Sequence, residues 1–455
     1  MHNIAMADIA KDSQLYSLAQ SLDQQEQQFS QIFHQQADLS SELPKMFFTD
    51  ISELHSAVSQ LTEDHRPLLA VHLLTKNIPL IKDYSDDLSI IDFLRLLFNH
   101  NEMVTAQILL DTINQTAPRD IKDNANFLYA KFLFKREQWQ QVIPLLSRPF
   151  HDLSIVEYNQ AHLFKGIALQ KTEKYRLAIA QFELISQETT DYTPAQLNLA
   201  LANIRQGWWT DAHIILERQI KSALSKNQEK VLNRLYITLG YSYLRQQYYR
   251  NARDSFGAIG LASDYANQSL IGLSLAAASQ EDYVGALNAV RLLQGKKQPD
   301  LSVDEAHLLM PYFYEKSSQY TTASIGYDQS IVYFLGRISQ FQTEQKKIID
   351  MPLSGIQYPS QGVINLTANE TAKLDDYIAD ATVETLQRLP LYQRYFNSTS
   401  PQKLALSRQV LNATSKEFVR ATHLHVLQQK IKYLNSYIDQ ARYGLVRLYD
   451  HQGNK

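Results

Sequence analysis

A large side chain followed three positions later by a small or β-branched one returns seven times along this chain: Met103 with Ala106, Trp139 with Val142, Tyr175 with Ala178, Trp209 with Ala212, Tyr249 with Ala252, Tyr283 with Ala286, and Tyr320 with Ala323. The second members lie 36, 36, 34, 40, 34 and 37 residues apart. A single closed core gives no reason for such a period. Supersecondary units that stack in a row, each covering its neighbour's apolar flank, require one. Aromatic residues at helical spacing are core residues in any α-helical protein, so it is the shared offset that separates an array from a generic bundle.

The clearest unit reads Tyr236, Leu239, Gly240 and Tyr243, then Tyr249, Ala252 and Phe256. Tyr236, Leu239 and Tyr243 are spaced to share one face of a first helix. Gly240 and Ala252 are the small residues that let a second helix approach it, and Tyr249 and Phe256 fill the space around that contact. This pattern resembles the tetratricopeptide repeat, a helix-turn-helix unit of about 34 residues. Weaker versions run through Gly166, Tyr175, Ala178 and Phe182, through Leu199, Ala200, Trp209, Ala212 and Leu216, and through Leu270, Leu273, Ser274, Tyr283, Ala286 and Val290. Units around Ala130, Trp139, Val142 and Leu146 and around Pro311, Tyr314, Tyr320, Ala323 and Tyr327 flank these, and Leu94, Leu97, Met103, Ala106 and Leu110 fit least well. The resemblance implies an all-α, right-handed superhelical solenoid over residues 89–335. Helical extensions are expected at both ends, a cap over 1–88 and a C-terminal region over 336–455.

In the cap, residues 10–36 read as one Gln-rich helix with Leu15, Leu18, Leu22, Phe29, Ile32 and Phe33 on a stripe. Helical hairpins are expected from about residue 45 to 85, interrupted by Pro67 and Pro79. After Tyr333 longer helices are expected. Pro352, Gly355, Pro359 and Gly362 mark residues 351–369 as a loop or extended excursion. Thr367-Ala-Asn-Glu370 fits a capping box that opens a helix running toward Leu389, where Pro390 stops it. Ser400-Pro401 signals a further helix start. In the last helix, Leu424, Leu427, Ile431, Leu434, Ile438, Ala441, Leu445 and Leu448 alternate by three and four, a heptad seam that needs a partner helix. That partner is either an earlier helix of the same chain or a second chain, as a homodimer or a docked helix.

Composition narrows the function classes. Of the 455 residues 44% are apolar and 20% charged, which suits a packed protein and excludes wholesale disorder. A formal charge of −3 lacks the positive field that drives nucleic-acid binding, so no nucleic-acid partner is expected. No cysteine is present, which removes disulfides and thiolate sites. No apolar run reaches the roughly 20 residues of a membrane span. Ala5-Met6-Ala7 before Asp8 matches a secretory cleavage pattern without its apolar region, which suggests a periplasmic protein whose leader is absent, with a cytoplasmic location as the alternative.

Catalytic motifs are missing: no glycine-rich phosphate loop, Gly-x-Ser-x-Gly elbow or His-Glu-x-x-His pair occurs. His423 and His425 point apart on a helix, and the Asp86-Asp87 and Asp375-Asp376 pairs read as solvated charges. The chain is therefore expected to be no enzyme, and to need no metal or cofactor. The repeat resemblance implies that first helices line a concave face, with the residue five places after the small position near the groove. Counting from each small residue gives Lys135, Lys171, Arg205, Arg245, Ser279 and Lys316, accompanied by Phe134, Ile167, Leu201, Ile204, Tyr241 and Leu244. A cation in the last turn also complements the helix macrodipole, with no ligand required. As a groove, the set forms an apolar channel with a cationic rail for an acidic peptide or protein partner. The expected role is a scaffold or adaptor in a bacterial envelope complex. The alternatives are a regulatory or substrate-recruiting subunit of an enzyme encoded elsewhere, and an enzyme hidden in the C-terminal segment.

Overall fold

The structure, a computed structural model, describes residues 13–37, 45–148, 150, 152–296, 300–359, 362–368, 370–392 and 402–453. Ala5-Met6-Ala7, Asp8 and the Ser400-Pro401 helix start lie outside these residues. The described residues form twenty α-helices and one two-stranded sheet. They divide into two compact units. The first comprises Met1–Asp191, Pro352–Gly362 and Leu374–Thr422, and the second Tyr192–Met351, Val363–Lys373 and His423–Lys455.

The first unit opens with α1 (Ser13–Ala37), whose stripe buries Leu15, Leu22, Phe29 and Phe33 while Leu18 and Ile32 are half-buried. Asp50 caps α2 (Ile51–Glu63) by accepting hydrogen bonds from the Ser52 and Glu53 amides, 2.8 and 3.0 Å away. Pro67 and Pro79 occupy the first turns of α3 (Pro67–Lys76) and α4 (Ile78–Asp83), where a missing N–H costs nothing. Three hairpins follow, α5 (Ser89–Asn99) with α6 (Met103–Thr116), α7 (Arg119–Lys135) with α8 (Trp139–Leu145), and α9 (Ile155–Lys171) with α10 (Tyr175–Phe182). The second unit holds α11 (Tyr192–Gln206) with α12 (Trp209–Ser225), α13 (Glu229–Arg245) with α14 (Tyr249–Gly257), α15 (Ala266–Ser279) with α16 (Tyr283–Gln294), and α17 (Leu301–Lys316) with α18 (Tyr320–Asp350).

These hairpins are tetratricopeptide-like, and the recurring residue pairs explain their form. The large member is in every case the first residue of the second helix. The small member, from Ala106 through Val142 to Ala323, has no exposed surface in any hairpin. The second aromatic then seats on a small residue of the first helix. Phe256 lies between Gly240 and Gly272, and a Cβ at Gly240 would meet its ring at 2.6 Å. Phe182 covers Gly166 in the same way.

Each connecting turn carries a residue in the left-handed region, at Asn101, Glu137, Glu173, Gly207, Gln247, Glu281 and Ser318, with φ from 56° to 78°. The amide of the next residue returns to a first-helix carbonyl, as from Gln138 to Leu133, Trp208 to Asn203 and Asp282 to Ala277, at 2.9 to 3.0 Å. This is a Schellman cap. Gly207 alone among these seven is the residue such a cap prefers, so the turn chemistry is hidden in the sequence while the backbone repeats.

The C-terminal region departs from the sequence reading at two points. Thr367-Ala-Asn-Glu370 opens no helix: Thr367 ends β1 (Val363–Thr367) and Glu370 begins β2 (Glu370–Lys373), an antiparallel pair with Val363 opposite Lys373. Ile364 and Leu366 alternate inward, a period of two that outweighs the cap signature. Glu370 is drawn away from capping by two buried cations described below. The helix starts later, as α19 (Asp380–Tyr392), and Pro390 lies inside its last turn rather than stopping it. Tyr392 anchors that turn to α1 through Glu26.

The final helix, α20 (Gln402–Gly453), is a continuous run of 52 residues. Its seam is occupied in cis. Leu427, Leu434, Ile438, Ala441 and Leu448 are buried, and Leu424, Ile431 and Leu445 half-buried. Gly444 lies against the Tyr327 ring of α18, and Tyr437 against Phe334 at 5.6 Å between centroids. The two helices run antiparallel here.

Truncating Phe256 to Ala is expected to cost about 3–5 kcal/mol, and Gly240→Ala about 1–3 kcal/mol through overpacking, both measured by denaturant unfolding. Conversely, Glu281→Gly should raise stability by about 0.5–1 kcal/mol by relieving a left-handed conformation, and Glu281→Val should lower it.

Candidate functional site

Every rail position sits in the final turn of a first helix. In the first unit, Lys135 closes α7 and donates to Glu384 Oε1 on α19 at 2.5 Å, so its charge is already answered. Lys171 closes α9 and is exposed. Their apolar companions pack inward: Phe134 stacks on Phe164 at 4.4 Å and meets Trp139 edge-on at 5.2 Å, and Ile167 is half-buried.

In the second unit, Arg205, Arg245, Ser279 and Lys316 end α11, α13, α15 and α17, and all four are exposed. The Arg245 guanidinium lies 5.3 Å from the Trp209 ring centre, and the Lys316 ammonium 5.5 Å from Tyr312. Such cation–π contacts hold the charges in place without neutralising them. Ile204 is buried in the hairpin core, while Leu201, Leu244 and Tyr241 are half-buried against it. The Tyr241 hydroxyl donates to the Gln268 carbonyl at 3.0 Å, and burial pushes its pKa well up, so it stays protonated. The second unit thus presents a cationic set in one register over a partly apolar surface.

Two buried ionic centres escaped the sequence reading. In the first unit, Glu26 sits on the apolar stripe of α1 with 1% of its surface exposed. It accepts from Arg388 Nε at 2.9 Å and Nη2 at 3.0 Å, from Tyr392 Oη at 2.7 Å and from Asn101 Nδ2 at 3.1 Å. Burial pushes its pKa up, but the Arg388 charge and these hydrogen bonds outweigh that and hold it below the usual range. Arg136 donates to Asn101 Oδ1 at 2.6 Å and lies 3.6 Å from Asp23. The left-handed turn residue Asn101 therefore bridges an anion and a cation. Nearby, Ser30 donates to Glu102 at 2.7 Å, and the His34 and His72 Nδ1 atoms are 3.2 Å apart.

In the second unit, Arg337 of α18 joins Asp304 of α17 at 3.1 Å to Glu370 of β2 at 2.6 Å. Lys430 of α20 donates to Glu370 at 2.8 Å, and Tyr333 to Asp304 at 2.8 Å. Glu315 is held by Arg447 through two bonds of 2.6 Å and by Tyr327 at 2.8 Å. A sequence signal existed for the first centre, because Glu26 falls four residues after Leu22 and three before Phe29. The second had none, since its members come from four elements distant in sequence.

These centres are pinned by complementary charge, an arrangement that fixes helix positions. Among the described residues no cluster of three His, Asp or Glu side chains is disposed to hold a metal ion, and no helix is long and apolar enough to cross a membrane. Asp87 accepts from the Ser89 amide at 2.8 Å, a local turn contact. His423 is half-buried and His425 buried on α20.

Burial also lowers the His100 and His307 imidazoles to about 4. The unfolded chain binds protons at these sites near pH 6.5 and the folded chain only near 4, so stability is lost as pH falls through that window. Glu26, held below its ordinary value of 4.5, adds a further loss that begins as pH falls below that value. In His100→Gln the stability difference between pH 7 and pH 4.5 should shrink by about 2 kcal/mol, read from urea unfolding at the two pH values.

No protein-family model matches this chain, and no curated protein matches it. It is similar to several solved structures. The apo form of RapI shares 14% identity at a TM-score of 0.45, over 74% of this chain and 98% of that one. The apo form of the quorum sensor NprR from B. thuringiensis shares 13% at 0.37, over 78% and 97%. The P58(IPK) TPR domain shares 14% at 0.22, over 61% and 82%.

Proposed function

We propose that this protein is a non-enzymatic adaptor that receives an acidic peptide, or an acidic surface of a protein partner, on the first-helix face of its second unit. One observation carries the reading: the same register position holds an exposed cation in α11, α13 and α17, as Arg205, Arg245 and Lys316. Lys135, at the equivalent place in the first unit, is paired with Glu384.

Each of these cations also faces the negative end of its own helix, a favourable contact of about 0.3–1 kcal/mol that an incoming carboxylate must share. Binding through one such residue is therefore weak. Several in register, flanked by Leu201, Tyr241 and Leu244, give both affinity and direction. Regulation of an enzyme encoded elsewhere would use the same surface. The envelope setting rests on the Ala5-Met6-Ala7 pattern, and an N-terminal sequence of the native protein beginning at or near Asp8 would support it.

The test is fluorescence anisotropy with a panel of short labelled acidic peptides bearing free C-terminal carboxylates. Binding is expected to the native protein and to be lost in Arg205→Glu/Arg245→Glu, with stability changed by about 1 kcal/mol or less. Undiminished binding by that variant would refute the proposal.

A further inference from the structure

The cis packing of the α20 seam leaves the opposite face of that helix uncovered, and this face has its own order. Around Val446 the sequence reads Arg442-Tyr443, then Val446, then Tyr449-Asp450, a charge-reversed palindrome. All five residues are exposed, with Tyr443 at 66%, Val446 at 57% and Tyr449 at 65%. Large apolar side chains exposed together are unusual on a monomer surface. Arg447, fixed by Glu315, lies 5.4 Å from the Tyr443 ring centre and braces it.

We infer that this face is a homodimer seam, in which two copies of α20 pair antiparallel about a two-fold axis at Val446. Antiparallel pairing about that point sets Val446 against its own copy, Tyr443 against Tyr449 of the second chain, and Arg442 against Asp450. The face is thus complementary to itself in both shape class and charge, as an isologous interface must be. A parallel arrangement would set Arg442 against Arg442 and Asp450 against Asp450, and like charge disfavours it. Arg442 now reaches Asp439 of its own helix at 3.7 Å, a loose exposed pair that leaves it available to a second chain. On α18, which runs antiparallel to α20, Ile325, Val332 and Leu335 are also exposed. The seam spans only about two and a half helical turns, which places it near the small end of specific interfaces, roughly 1,200 Å² in total or less, so association is expected in the micromolar range.

Sedimentation equilibrium of the full chain should show the mass rising from 52.3 kDa toward twice that value with concentration. Val446→Glu should hold it at one chain without altering the circular-dichroism melt. Arg442→Asp and Asp450→Arg should each weaken association about tenfold, and the double variant should restore it. A single-chain mass at every concentration, a dimer that survives Val446→Glu, or a double variant without rescue would each overturn the inference.

Discussion

The contact on which the hairpins depend is an aromatic ring seated where a side chain is missing. Phe256 lies against Gly240 of its own hairpin and Gly272 of the next, so one ring sets two helix separations at once. Packing at this density tolerates neither an added methyl group nor a lost ring without readjustment. Ala252, with no exposed surface, allows the close approach from the second helix. Turn, helix start and core contact are locked to one another, because the left-handed residue, the large side chain that opens the second helix and the small one three places later keep fixed offsets. A change in one shifts the other two.

This coupling explains what the sequence disclosed. The pairs from Met103 to Ala323 marked the starts of seven second helices because the large residue must occupy the first helical position to pack over the turn. The stripe on α1 was legible in the same terms. The turns themselves were not, since Glu137, Glu173, Gln247 and Glu281 carry none of the composition that signals a left-handed cap. The β-hairpin was misread for a related reason. Thr367 and Glu370 have the spacing of a capping box, and only the buried partners Arg337 and Lys430, far along the chain, show that Glu370 serves another contact. The rail residues were legible as cations in a common register. That Lys135 would be answered by Glu384, 249 positions away, could not be read locally.

The buried ionic groups divide the work of the fold. Apolar burial supplies most of the stability, but it is non-directional and lets helices slide with small loss. Glu26, ringed by Arg388, Tyr392 and Asn101, admits one placement of α1 against α19. Asp304, Arg337, Glu370 and Lys430 do the same for the β-hairpin against α17, α18 and α20. Such groups add little net stability over an apolar core of equal volume, yet removing one partner strands the other. Their value here is positional: they sit where the regular hairpin pattern ends and irregular elements join it, the places where periodic packing cannot specify register.

Asn101 combines these themes. Like its counterparts it holds a left-handed backbone conformation, one that glycine adopts most easily. Unlike glycine it has an amide side chain, whose nitrogen serves Glu26 and whose oxygen serves Arg136. The first of the seven turns is thereby wired to the buried charges of the N-terminal helix. Asparagine tolerates the left-handed region better than most side chains, so at this turn one residue serves both the local cap and a long-range tether.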